Sequence, residues 1–527
     1  MTDRRRRHAG LAVLVLLLGN LPAVARETLR IGVAVETTSI DPHFTSNVNN
    51  VQALRHVFDP LIAQDEAQRP VPGLALSWTM DEADPRRWVI RLRPGVRFHD
   101  GQPFGAEDAV LSLRRAMAPP GGIGGYGSYL RQVTGFAVLD EHTLELRTAA
   151  PHPALPYDLT APMMVSRRAV AAQPEAFNSG EHAVGTGPFR LTAWRRGVAL
   201  EFERDPGWWG GQQPWARVQI LPRQQDGARM AALLAGQVDL IDQVPTTALE
   251  MIRRRPDLAL AEAVTSRLVF VQLDAMRETT AFFTDAAGRP LDPNPLRDPR
   301  VRLALSLAID RPGLVSQIMG GMATPTGQLL PEGRPGTSAA LPPDRHDPEE
   351  ARALLRAAGV PEGARLVLHG PNDRYLNDEK VLVAIAAMLR RVGIAAEPVV
   401  APFSIFRARQ RRMEASATLG AWGTETGDAS LALRALLGAP GRPTGWGQVN
   451  FMAYANEAFE SALAGALRET SEPARQAALA RATEIGIGDR ALLPLYFQRA
   501  VWASGRGVAY LARADEYTLA VSARRMQ

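Results

Sequence analysis

The run from Arg87 to Met117, RWVIRLRPGVRFHDGQPFGAEDAVLSLRRAM, constrains the fold more than any other stretch of the sequence. Trp88 to Arg93 alternates roughly between apolar and charged side chains and is rich in aromatic and β-branched residues, the pattern of a strand with one buried face. Pro94-Gly95 ends that strand, and Asp100-Gly101 marks a second tight turn. Glu107 and Asp108 then follow Gly105, carboxylates placed where the positive end of a helix favours them. Val110, Leu111, Leu113 and Met117 continue at helical spacing. Strand, turn and helix joined this closely call for a sheet with helices packed on it, an α/β arrangement.

The same signals recur along the chain. Leu29–Val35 reads as a first strand running into the turn Ser39-Ile40-Asp41-Pro42, and Val48–Phe58 as a helix. A helix from Asp226 ends at Gly236. Asp298 caps another whose first position is Pro299, and Asp347-Pro348 opens a third that stops at Gly359. Arg365–His369, Asn377–Arg391 and Ile394–Val400 form a strand–helix–strand unit. Leu268–Leu273 and Pro494–Phe497 read as further β segments, and the chain is largely helical from Asn456.

With 527 residues, 46% of them hydrophobic, the chain can build two or three domains with their own cores. It has no cysteine, which excludes disulfides and a lipid-anchoring Cys. Residues 1–25 read as a signal peptide: Arg4–Arg7 are the charged region, Leu11–Leu18 the apolar region, and Ala23-Val24-Ala25 the small-residue cleavage site. The mature chain is therefore expected to begin at Arg26, in the periplasm. Removing residues 1–25, which hold four of the 60 basic and one of the 55 acidic residues, leaves a formal charge of +2. This near balance argues against a nucleic-acid or membrane-surface partner.

Catalytic patterns are absent. There is no G-x-S-x-G, no H-E-x-x-H and no cysteine nucleophile, and the nine histidines show no metal-ligand spacing. Gly122–Gly127 satisfies G-x-G-x-x-G, but a helix and Pro119-Pro120 precede it where a nucleotide site needs a strand. No cofactor or metal is expected. A secreted glycosidase is the enzymatic alternative.

Several segments together resemble family 5 extracellular solute-binding proteins, the dipeptide, oligopeptide and nickel-type receptors of ABC importers. Arg91-Leu-Arg-Pro-Gly-Val-Arg-Phe-His-Asp-Gly101 and Ala106-Glu-Asp108 carry the family's main signature, with Gly105 where the family usually has Thr. Pro72–Trp78, Gly185-Thr-Gly-Pro-Phe189, Asp205–Trp209 and Asp298–Asp310 match further motifs. The resemblance covers nearly all of 28–527. It implies a type II periplasmic binding fold, α/β with two lobes and an extra domain inserted in the first. The first lobe would take 26–47, 183–265 and 498–527, the insertion 48–182, and the second lobe 266–497. The implied partners are a small solute, most simply a short peptide, and a permease with its ATPase subunits, the receptor itself being a monomer. Oligosaccharides, opines and nickel chelates are the alternative ligands.

The resemblance also implies binding residues. Trp422-Gly-Thr-Glu425 stands where dipeptide-type receptors read W-x-x-D, making Trp422 a wall or stacking residue and Glu425 the acid that holds an amino group. Arg374, on the loop after Arg365–His369, would hold a carboxylate through its planar fork. The loop Gly185–Phe189 reads first as a tight bend, with Thr186 the contact residue if the loop's backbone approaches a ligand. Paired Trp208 and Trp209 read as packing rather than as a sugar platform.

Overall fold

The computed structural model describes residues 27–122, 126–424, 426–442 and 444–526. The expected signal peptide, the start at Arg26, the middle of the glycine-rich loop and Glu425 lie outside the described residues.

Two long strands tie the molecule together. Leu258–Leu273 and Leu492–Gly505 pair antiparallel, from Leu258 opposite Gly505 to Gln272 opposite Leu492. The β segments expected at Leu268–Leu273 and Pro494–Phe497 belong to these strands. The extra length comes from Leu258–Val264, whose alanines and glutamate carry little β signal of their own; pairing with Arg499–Gly505 makes them a strand. On one side the sheet continues through Leu240–Ile241, Thr28–Val33, Arg217–Pro222, Ala199–Arg204 and Phe189–Arg195. On the other it continues through Ala417–Gly423 and Arg365–Pro371, with Ala395–Ala401 and Phe283–Thr284 paired to the latter.

Each half has its own core. Leu29, Ile31, Val218, Ile220 and Leu240 belong to one buried cluster. Leu305, Leu366, Leu368, Ile385 and Leu389 belong to another. The helices start as their sequences predict: the Asp298 carboxylate accepts the Arg300 N–H at 2.8 Å, and Asp347 accepts that of Glu350 at 2.9 Å. Such caps typically contribute about 1 kcal/mol each. Gly236 and Gly359, just past two helix ends, sit at φ +65° and +74°, a region that glycine enters without steric cost.

The Arg87–Met117 run forms a separate layer. Arg87–Leu92 lies inside a four-stranded antiparallel sheet with Ala75–Met80, Thr143–Thr148 and Val133–Asp140, and the helix Ala106–Met117 packs with it. Trp88, Ile90, Phe98, Phe104, Leu113 and Leu146 share one buried cluster, at about 1.5–3 kcal/mol per fully buried side chain. Val51, Leu54, Phe58 and Phe177, within the segment 48–182, pack instead with Leu29 and Ile31 of the large sheet. Glycine at 105 has a local reason: its N–H donates to the Asp108 carboxylate at 3.2 Å, and a Cβ there would stand 3.0 Å from the Glu141 carbonyl oxygen.

A dense polar staple joins this layer to the large sheet, and the recognisable motifs build it. The His99 backbone N–H donates to the Gly185 carbonyl at 2.9 Å, while Nε2 of its ring donates to the Gly187 carbonyl at 2.9 Å. Nδ1 accepts the Gly185 N–H at 3.3 Å, which fixes a neutral ring. Gly185 and Gly187 lie so close to the chain that a Cβ at 185 would stand 1.9 Å from the Val57 carbonyl oxygen. Nearby, Arg115 makes a fork with both oxygens of Asp41, at 2.8 and 2.6 Å, and donates to His43 Nδ1 at 2.9 Å, all three side chains buried.

Candidate functional site: the cleft between the sheet halves

A cavity of about 260 Å³ opens where the two halves of the large sheet meet. Its position follows from a defect in the central strand pair. Val264 pairs with Arg499 and Leu268 with Phe497, so three residues on one strand oppose one on the other. Such a bulge bends a strand and re-aims its side chains. Here it turns Ser266 and Arg267 to the cavity.

The wall from the second half is aromatic and cationic. Arg374 and Tyr375 come from the loop after Arg365–Pro371, held by the Asp378 carboxylate, which accepts both their backbone N–H groups at 3.0 Å. The helix Phe403–Arg411 presents Phe403, Phe406, Arg407 and Gln410, spaced three and four apart and so on one face. Arg374 lies over the Phe403 ring at 5.2 Å, and Arg407 over the Phe451 ring at 4.3 Å. Among the described residues neither guanidinium has a carboxylate partner. Burial lowers the Arg407 pKa from its ordinary value.

Trp422, at the end of Ala417–Gly423, also lines the cavity. Its indole N–H is buried and has no hydrogen-bond partner among the described residues, and the same holds for the Thr424 hydroxyl. Burying such atoms without a partner is costly.

The opposite wall comes from segments far apart in sequence. Ser46–Val48, the hairpin residue Gln68 and the C-terminal stretch Ala514–Tyr517 all face the cavity. Glu516 is spent on Arg267, two bonds of 2.8 Å, and Asp515 on Arg513. Gln68 bridges the cleft: its Nε2 donates to the Thr424 carbonyl at 3.0 Å, and its Oε1 accepts from the Ser266 hydroxyl.

Of the four expected contact residues, Arg374 and Trp422 meet at this cavity, whereas Glu425 lies outside the described residues. Thr186 is elsewhere. It is 1% exposed, does not line the cavity, and donates its hydroxyl to Asp59 at 3.1 Å. The indole N–H groups of Trp208 and Trp209 point to the same carboxylate oxygen, at 3.4 and 2.8 Å. Burial pushes the Asp59 pKa up to about 6, against the opposing pull of these donors. The sequence reading missed the Phe403–Arg411 helix, although its i, i+3, i+4, i+7 pattern of Phe, Phe, Arg and Gln was available as a signal. It also missed Gln68 and Glu516, which carry no local pattern. Among the described residues no group of three His, Asp or Glu could hold a metal ion, and no helix is long and apolar enough to cross a membrane.

Two α/β halves joined by two strands, with the cavity between them, define the two-lobe, type II periplasmic binding fold. Solved structures share it. The periplasmic binding protein DppA from Helicobacter pylori in complex with the peptide STSA aligns with a TM-score of 0.75 at 20% identity, over 95% of this chain and 98% of that one. AgaA from A. tumefaciens R10 in complex with agropinic acid aligns with 0.75 at 21%, over 95% and 99%. Among curated relatives, the glutathione-binding protein GsiB of Pectobacterium atrosepticum is 25% identical over 483 residues, 90% of this chain and 89% of its own. The model of the bacterial extracellular solute-binding proteins, family 5 (middle), matches residues 69–443, and the chain belongs to that family. It is a solute-binding subunit of an ABC importer, working with a permease and an ATPase.

Proposed function

We propose that the cleft takes a short peptide or peptide-like solute and holds its carboxylate on Arg374. The observation that carries this reading is a guanidinium in the cavity wall with no acid partner among the described residues, beside the unpartnered Trp422 N–H. A planar fork meets a carboxylate through two parallel hydrogen bonds. Glu425, three residues after Trp422, would take the ammonium group. A cavity of about 260 Å³ suits a compact solute better than an oligosaccharide. The glutathione in the name of the curated relative and the peptide in the DppA complex support the peptide class. An opine is the second reading, on the strength of the agropinic acid bound by AgaA.

In this reading the protein is a monomeric periplasmic receptor without catalytic activity or lipid anchor, exported by residues 1–25 and cleaved before Arg26. Its lobes close on the solute by bending at the paired strands, the inserted domain moving with the first lobe. Calorimetry with a peptide panel tests the assignment. Once closure has buried the pair, Arg374→Ala should weaken the best ligand by about 2–5 kcal/mol. Unchanged affinity in that variant would refute carboxylate reading by Arg374.

A further inference from the structure

We infer that Arg407 provides a second anion position in the cleft, so that the preferred solute carries two carboxylates and a net negative charge. This rests on the peptide-like reading above for the rest of the solute, but on a separate set of contacts.

Most charges in the cleft are already answered. Three arginines line the cavity: Arg267, Arg374 and Arg407. Arg267 is matched by Glu516 through a two-point ion pair. Asp515, the other described carboxylate in the lining, is held by Arg513 through Nε and Nη2. That leaves two guanidiniums and, among the described residues, no acid for them. Glu425 is the one acid of the expected site outside that set, and in the peptide reading it is engaged by the ligand's ammonium. One neutral zwitterion therefore leaves one cation over.

Arg407 is well placed to be the second reader. It sits one turn along the helix from Phe403, and both guanidiniums share that ring, Arg374 at 5.2 Å and Arg407 at 6.0 Å. The Phe403 and Phe451 rings lie beside the guanidiniums and offer them no hydrogen-bond acceptor, so their N–H groups can still meet a carboxylate. Among the described residues the Arg407 edge makes one long bond, Nη1 to Gln410 Oε1 at 3.4 Å. Burial already lowers the pKa of this group. A desolvated cation without a counter-charge is unfavourable, and an acid side chain on the ligand removes that penalty.

The test uses isosteric pairs, Ala-Glu with Ala-Gln and Glu-Ala with Gln-Ala, plus glutarate as a diacid without a peptide bond. Each is titrated by calorimetry into the wild-type receptor and into Arg407→Gln. The wild type should prefer the acidic member of at least one pair by about tenfold or more, with a preference that shrinks as salt rises. Arg407→Gln should reduce the preference to within about threefold. Equal binding of both members by the wild type, or an undiminished preference in the variant, overturns the inference. If glutarate binds through Arg407 and no dipeptide binds, the peptide reading fails and the anion position stands. If neither acidic dipeptides nor glutarate bind, the anion position fails as well.

Discussion

The staple around His99 and the cleft around Arg374 are built from similar residues put to opposite uses. In the staple polar groups answer one another: His99 engages Gly185 and Gly187 with its backbone and both ring nitrogens, and Asp59 collects Thr186, Trp208 and Trp209 on one oxygen. In the cleft, Arg374 and Arg407 have no carboxylate partner among the described residues, and the buried Trp422 N–H and Thr424 hydroxyl have no hydrogen-bond partner there. A scaffold gains stability by satisfying its polar groups, whereas a receptor gains affinity by keeping some unsatisfied until ligand arrives. The motifs that make this chain recognisable lie mostly on the scaffold side. They identify the family and say little about the solute.

Substitutions should separate the two regions. The largest effect is expected at Gly185, where a side chain would run into the Val57 carbonyl. Gly185→Ala should cost at least about 3 kcal/mol in chemical denaturation, because backbone has to move to admit the methyl group. A variant as stable as wild type would show that the staple is loose.

Next is a pH effect at Asp59. Its pKa of about 6 in the fold lies above the ordinary carboxylate value, so the unfolded chain ionises first as pH rises. Wild type should lose stability relative to Asp59→Asn between about pH 4 and pH 6, by up to about 3 kcal/mol, with no further change above. Asparagine can still accept from Thr186 and Trp209, so the comparison isolates charge. In wild type the trend is partly hidden. Asp242 behaves like Asp59, but His43 and His56, lowered to about 4 by burial, make stability rise over about pH 4 to 6.5. Parallel pH curves for wild type and Asp59→Asn would remove Asp59 from the account.

A smaller effect belongs to Gln68, which spans the cleft to Thr424 and Ser266. Two hydrogen bonds of about 1 kcal/mol each hold this contact. Gln68→Ala should raise the ligand dissociation rate roughly tenfold while changing the association rate little. An unchanged dissociation rate in stopped-flow displacement would place the closing contacts elsewhere.

The sequence made the scaffold legible because its signals are local. Asp298-Pro299 and Asp347-Pro348 start helices, Gly236 and Gly359 end them, and Arg87–Leu92 alternates as a strand should. The cleft is assembled by topology instead. Gln68, Ser266, Arg374, Arg407 and Glu516 come from five separated segments, and no local pattern announces that they meet. Arg374 and Trp422 were readable through resemblance alone. Thr186 shows the limit of that route: a residue inside a strong motif, buried in the staple.

The proposed role of the cleft, with Arg374 in its wall, is to read a carboxylate on a peptide-like solute. The most direct test is mass spectrometry of the small molecules released from protein purified natively from the periplasm, wild type beside Arg374→Ala. A peptide-like acid with a free carboxylate is expected, bound near one to one in the wild type and lost from the variant. A neutral saccharide in the wild type, or an acid retained equally by both proteins, would contradict it.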